Sequence, residues 1–228
     1  MAAPVSARAS LLETGRNDAL QRSLIPCFDA FYGTALTLID DWGAPTRPRV
    51  LDLGANGGLF ASLVRARLPH AHLHLVEETP QAMEQSRRRF AGDARVSFAL
   101  AELEEADLTG PWDLVISSLA IHHLDHNAKR DLYGRINRAL APGGLFISAE
   151  QVLGPTAEVE SQYDRLWQSE ASDLGVPAVE LSRARDRLRQ DHCATLGEQL
   201  MWMAEAGLAD VDCAFKSWRF AVMSARHH

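Results

Sequence analysis

Several absences narrow this chain of 228 residues before any motif is read. It holds only 3 cysteines. Cys27, Cys193 and Cys213 are odd in number, widely spaced and without a C-x-x-C, so neither a disulfide framework nor a zinc site is indicated and inert, buried thiols are expected. No run of basic residues is interleaved with aromatics, and the net charge of −7 repels polyanions, which excludes nucleic acid as an expected partner. No uncharged apolar stretch is longer than a strand, and the N-terminus lacks a basic flank followed by an apolar core. A soluble, cytoplasmic protein without a membrane partner is expected. Internal repeats and low-complexity tracts are missing too.

What is present is a chain 46% hydrophobic, enough for one α/β domain with a full core. From about residue 50 to 150, strand-like and helix-like segments alternate, the pattern of a parallel sheet with crossover helices. Five near-continuously apolar strands are expected at Val50–Leu53, Leu73–Val76, Val96–Leu100, Leu114–Ser117 and Leu145–Ala149. Between them, Leu59, Phe60, Leu63, Val64 and Leu68 make one helical stripe, and Leu132, Tyr133, Ile136 and Leu140 another. Thr79-Pro80 reads as an N-cap and first helical position. The spacing Thr195-x-x-Glu198 predicts a capping box, and Ala141-Pro-Gly-Gly predicts a turn into the fifth strand. Val211–Phe215 and Phe220–Met223 read as a closing hairpin. Two segments remain outside the sheet: 1–45, helical with Leu24, Ile25, Phe28 and Phe31 on one side, and 152–193, two helices around Gly175 and Pro177. Both are candidate lids over the carboxyl ends of the strands, where open α/β sheets bind ligands.

The first strand runs into Gly54-Ala-Asn-Gly-Gly58, a side-chain-poor turn ahead of a helix. Such a turn admits close backbone approach to a ligand and leaves helix-start N–H groups pointing outward. In a G-x-G-x-x-G dinucleotide site the second and third glycines would fall on Asn56 and Leu59, so a pyrophosphate is disfavoured. Asp52, two places before the first glycine, repels phosphate but accepts hydrogen bonds from a cationic amine. S-adenosylmethionine carries such an amine.

The series Val50-Leu-Asp-Leu-Gly, Val76-Glu-Glu-Thr-Pro, Ala101-Glu-Leu, Trp112-Asp-Leu-Val-Ile-Ser-Ser-Leu-Ala-Ile-His-His-Leu and Leu140-Ala-Pro-Gly-Gly resembles the class I S-adenosylmethionine-dependent methyltransferases over residues 48–150. The likeness continues at 195–225. It implies a Rossmann-like, doubly wound, mostly parallel seven-stranded sheet with an antiparallel C-terminal hairpin and helical lids. The organisation implied is a single domain: an N-terminal helical lid at 1–45, a cofactor-binding core at 46–151, a helical cap at 152–193, and a C-terminal helix and hairpin at 194–228. The resemblance places Asp52, Gly54, Ala55, Asn56 and Gly58 along the methionine and ribose of the cofactor, with Asn56 standing where the family has glycine. It matches Glu77 to the acid that holds the ribose hydroxyls, which suits a carboxylate ending the second strand about 20 residues past the glycine turn. Glu78 beside it doubles as a helix-start charge. Glu102 and Leu103 match the adenine contact, and Ser117 and Ser118 lie below the methionyl group.

The remaining candidates rest on chemistry at the ligand edge. His122, His123 and Glu150 are candidate bases for an acceptor proton, in that order. Gln151, Tyr163 and Trp167 are candidate substrate contacts, the aromatic pair through attraction to a sulfonium, and Arg22 is a candidate partner of the cofactor carboxylate. His122 with His126, and His72 with His74, have metal-like spacing but no carboxylate set beside them, so no metal site is expected. The arginines at 183, 185, 187 and 189 read as a solvated helix face. The function expected is methyl transfer to oxygen or nitrogen of a small molecule in specialised biosynthesis, by a protein that can form a homodimer. Two other readings stay open: an enzyme that consumes the same cofactor without moving its methyl, such as a cyclase giving azetidine-2-carboxylate and methylthioadenosine, and a non-catalytic cofactor-binding protein.

Overall fold

The computed structural model describes residue 15 and residues 17–228. The first part of the expected N-terminal lid therefore lies outside the described residues. Residues 17–24 are helical and lead into α1 (Phe28–Asp41). The core then runs β1 (Arg49–Leu53), α2 (Leu59–Arg67), β2 (His72–Glu77), α3 (Pro80–Arg89), β3 (Val96–Leu100) and β4 (Trp112–Ser118). A single 3-10 turn (Ile121–His123) precedes α4 (His126–Ala139) and β5 (Leu140–Gln151). The chain closes with α5 (Ala157–Asp173), α6 (Ala178–Leu188), α7 (Leu196–Glu205), β6 (Ala209–Ser217) and β7 (Phe220–Arg226).

The strands form one seven-stranded sheet in the order β3-β2-β1-β4-β5-β7-β6. The pairs among β1 to β5 are parallel, whereas β7 runs antiparallel to both β5 and β6. The order reverses between β1 and β4, and the crevice beyond the carboxyl ends of those two strands is the position this topology offers to a ligand.

Alternation along each strand builds two cores. Val50, Leu114, Ile116 and Ile147 pack on one face with Phe31, Ile39, Phe60 and Val64 from α1 and α2. Leu51, Leu53, Val115 and Phe146 pack on the other with Leu132, Tyr133 and Ile136 of α4 and with Trp202 and Met203 of α7. The helix starts are those expected: Thr79 Oγ1 accepts from the Ala82 N–H at 3.2 Å, and the Thr195–Glu198 capping box closes in both directions.

One expectation needs adjustment. Ala141-Pro-Gly-Gly is the first part of β5 rather than a turn before it, because Leu140 already pairs with Trp112 and the Gly143 N–H donates to the His227 carbonyl at 2.7 Å. In α7, Gln199 and Trp202 are buried beside Met203, whereas Leu196 and Leu200 are only partly covered; the Gln199 amide oxygen accepts from the buried Tyr133 hydroxyl. The two helices of the cap are present, separated by Gly175 at φ +83°. Among the described residues no helix is long and apolar enough to cross a membrane.

Candidate active site

β1 ends in a tight loop that only small or left-handed-tolerant residues can make. A Cβ on Gly54 would stand 2.3 Å from the Ala120 Cβ, so the close approach of the β1 and β4 exits requires glycine there. Asn56 takes φ +48°, a left-handed conformation that asparagine tolerates better than most residues. This accounts for asparagine in place of glycine, and Asn56 lines the cleft described below. The loop N–H groups do not all point outward as expected. Ala55 donates to the Val76 carbonyl, Gly58 to the Ala55 carbonyl, and Gly57 to Glu77 Oε1 at 3.1 Å.

Four acids surround this loop in different states. Asp52 is 1% exposed, and neither carboxylate oxygen has a hydrogen-bond partner; the Ala61 N–H faces it without completing a regular bond. Burial, reinforced by the charge of Glu77, pushes its carboxyl well above the usual range. Glu77 is equally buried, and its Oε1 takes the Gly57 N–H and the Ser86 hydroxyl. Its carboxylate thus braces the glycine loop from within. Glu78 stays partly open, with an oxygen 3.7 Å from where a Gly54 Cβ would be and with the Leu103 N–H facing it. Burial raises its carboxyl as well. Glu102 is exposed on the loop after β3, and Leu103 is fully buried.

At the end of β4 the two serines diverge. Ser117 is fully buried and donates to the Leu53 carbonyl at 2.8 Å, so its side chain stitches strands and does not reach the ligand edge. Ser118 shares a 2.9 Å hydrogen bond with the Tyr32 hydroxyl of α1. Leu119 follows at φ +52°, an unusual conformation for a bulky residue, and turns the chain toward His122.

His122 Nδ1 and Glu150 Oε1 are 2.5 Å apart. Glu150 is 0% exposed, and its carboxylate also accepts from the backbone N–H groups of Ala120, His122 and Gln151. With its acceptor positions occupied inside the protein, Glu150 is not a base open to substrate; it orients His122. Burial alone would push its carboxyl up, but the charge of His122 and their hydrogen bond hold it below the usual range. Asp191, from the loop after α6, completes the group. Its Oδ1 lies 2.7 Å from His123 Nδ1 and its Oδ2 lies 3.5 Å from His122 Nε2. The hydrogen bond to Asp191 raises the His123 pKa despite partial burial. Beneath this group the buried Lys129 ammonium donates to the carbonyls of His122, Leu124 and His192, fastening the turn after β4 to the loop after α6.

His122, His123 and Asp191 border a cleft of about 490 Å³ at the switch point. Leu24, Ile25, Leu119, Trp167 and Phe220 supply its apolar side; Asn56, Gln85, His122, His123, Gln151 and Asp191 supply the polar one. Of the sequence candidates, Asn56, His122, His123, Gln151 and Trp167 therefore meet in one cavity. Two others do not. Arg22 pairs with Asp29 at 2.5 Å and stacks over Phe28, on the exposed side of its helix. Tyr163 is engaged by Lys216, which donates to its hydroxyl at 2.7 Å. Helical spacing alone could not say which face of either helix turns inward.

Asp191, Gln85 and Arg187 are cleft residues that the sequence did not single out. Arg187 breaks the expectation of a uniformly solvated arginine face, whereas Arg183 and Arg189 pair within their own helix segment. The thiols are partly rather than fully buried, and that burial still pushes Cys27 up to about 11 and Cys193 to about 12.

Residues 51–146 match a family model described as a methyltransferase domain. That span is less than half of the chain, and over it the chain is similar to methyltransferases. The chain is 29% identical over 177 residues to a trans-aconitate 2-methyltransferase of Methylobacterium nodulans, covering 78% of this chain and 62% of the relative. It thus spans less than two thirds of that relative. A carboxy-S-adenosyl-L-methionine synthase of Shewanella halifaxensis is 22% identical, but the match covers 92% of this chain and 87% of the relative. Among solved structures, human N-acetylserotonin methyltransferase superposes with a TM-score of 0.60 at 18% identity, over 92% of this chain and 56% of that one. This last likeness is one of fold.

Proposed function

We propose that the chain binds S-adenosylmethionine at the β1–β4 switch point and transfers its methyl group to an oxygen or nitrogen of a small molecule in specialised metabolism. The observation that carries the reading is the pairing, across one sheet edge, of an acid without a hydrogen-bond partner and a histidine whose Nδ1 is held by a buried carboxylate. Asp52 is a buried carboxylate that the protein leaves uncompensated, and a cationic amine is the group that would relieve it. That is the fit expected for the ammonium of this cofactor. Glu77 and Glu78 at the exit of β2, Asn56 within the glycine loop, and Glu102 and Leu103 after β3 are the groups for the ribose and adenine. The cofactor supplies an electrophilic methyl on sulfur.

The chain's own residues supply position, dryness and a proton acceptor. The helical residues 17–24 and α6 border the cleft, and their apolar side chains exclude water while the acceptor is held in line. Glu150 keeps the Nδ1 proton on His122, which leaves Nε2 to take the proton of an acceptor hydroxyl or ammonium. His123, Gln151 and Trp167 contact the acceptor. The chain acts as a single domain with the N-terminal segment and the 152–193 cap as lids, in the cytoplasm, with no nucleic acid or membrane partner.

A second reading has an observation of its own. Among the relatives described above, the one matched over nearly its whole length is named as a carboxy-S-adenosyl-L-methionine synthase, not as a methyltransferase. By that likeness the chain consumes the cofactor without moving its methyl. In the cyclisation form the amine nitrogen bonds to the γ-carbon as the γ-carbon to sulfur bond breaks, one ammonium proton leaves, and azetidine-2-carboxylate and methylthioadenosine result. Incubation of the protein with S-adenosylmethionine alone separates the readings. No methylthioadenosine above the uncatalysed rate, with S-adenosylhomocysteine formed only when an acceptor panel is added, supports methyl transfer. Steady methylthioadenosine release overturns it in favour of cyclisation, and tight binding with neither product identifies a non-catalytic binder.

A further inference from the structure

We propose that His122, His123 and Asp191 form a site for one divalent transition-metal ion, of the zinc or cobalt kind, in the wall of the cleft. Sequence spacing gave no such set, because Asp191 comes to the histidines from the far end of the helical cap. In the folded chain one ligand atom from each of the three residues lies within 4.8 Å of the others. Two imidazoles and one carboxylate are a donor set suited to zinc, cobalt or nickel rather than to magnesium or calcium.

The hydrogen bonds around the set support this assignment. Glu150 holds His122 through Nδ1, so the nitrogen turned toward Asp191 is Nε2. His122 Nε2 and Asp191 Oδ2 then face each other at 3.5 Å, two atoms that can each ligate one ion lying between the two loops. Glu150 is also the outer carboxylate that commonly orients a metal-bound histidine. The ligands are held in advance: the His192 N–H donates to the His122 carbonyl at 3.1 Å, and Lys129 bridges the same two loops.

Bonds of 2.0–2.1 Å to zinc set ligands roughly 3.3 Å apart in a tetrahedron, so the wider separations must contract and the 2.7 Å His123–Asp191 contact must open. His123 has the freedom to do so, since its side chain is 51% exposed. All three residues border the cleft, which leaves a coordination position open to water or a small ligand.

The metal site does not rest on the methyltransferase reading, because it is built from side chains alone. If that reading holds, an ion on Nε2 takes the lone pair that would receive the acceptor proton, and zinc inhibits in competition with the acceptor. The test is titration of the chelator-treated full chain with cobalt(II), followed by visible absorption, and with zinc(II), followed by calorimetry. One equivalent is expected to bind, with four- or five-coordinate cobalt bands. Asp191→Asn and His123→Ala should each weaken binding by at least about 10-fold, and Glu150→Gln by about 10-fold or more, with circular dichroism unchanged. Absence of saturable binding overturns the proposal. So does binding that survives in Asp191→Asn, which would place the ion elsewhere, for instance at His227 and His228.

Discussion

Glu150 and His122, on neighbouring strand exits, share a 2.5 Å hydrogen bond, and Glu150 also gathers the N–H groups of the turn that carries His122. The carboxylate therefore sets both the tautomer of the imidazole and the path of its backbone. Glu150→Gln keeps the shape but removes the charge. Turnover is expected to fall by about 10²-fold, within the range for general base catalysis, with a smaller change in KM. Because the folded-state Glu150 is held below its unfolded value near 4.5, its stabilising contribution is present above that value and is lost as pH falls through the folded one. Thermal melts should show the wild-type advantage over Glu150→Gln in full at neutral pH and shrinking only in acid.

The Asp191–His123 pair gives the opposite pH sense. Its hydrogen bond raises the His123 pKa above the ordinary 6.5, so the stabilisation is complete below that value and is lost as pH rises through the folded one. Hydrogen exchange should show the loop at 189–195 well protected near about pH 6 and progressively less so above neutrality, after correction for intrinsic rates. In Asp191→Asn that pH dependence should disappear.

Asp52 is held against its preference. Burial and Glu77 raise its folded pKa above the unfolded value of 3.8, so the stability linked to its proton is complete below that value and lost as pH rises through the folded one. Asp52→Asn should melt higher than wild type at neutral pH in the absence of cofactor, with the gap closing toward about pH 4. The same substitution should weaken S-adenosylmethionine binding by about 10-fold or more, as loss of a charge-assisted contact does. A variant both less stable and fully binding would contradict this account of Asp52.

Glu77 and Glu78 are adjacent yet differ in what they hold. Glu77→Ala frees the Gly57 N–H and the Ser86 hydroxyl in the interior, so melting temperature and cofactor affinity should fall together. Glu78→Ala should lower affinity with little change in melting temperature. Equal melting losses in the two variants would show that both acids brace the loop.

The sheet was legible because strands covered on both faces read as short apolar runs, and the order of motifs carried the topology. The length of β5 was hidden, since Pro142 and two glycines resemble a turn while their backbone still pairs at the sheet margin. The site was legible only where a motif lies on the chain next to the ligand edge, as for His122 and His123. Asp191 sits in an aperiodic loop and comes within reach only through the fold, and Arg22 and Tyr163 show that a helix repeat does not reveal which stripe faces inward. Ser117 and Glu150 lay at the right depth, but their side chains are consumed by neighbouring backbone.

The most direct measurement is calorimetric titration of the purified chain with S-adenosylmethionine and, separately, with nicotinamide and flavin dinucleotides. The expected result is one saturable site for S-adenosylmethionine, weakened in Asp52→Asn and Glu78→Ala, and no heat from either dinucleotide. Saturable binding of a dinucleotide with none of S-adenosylmethionine would contradict it.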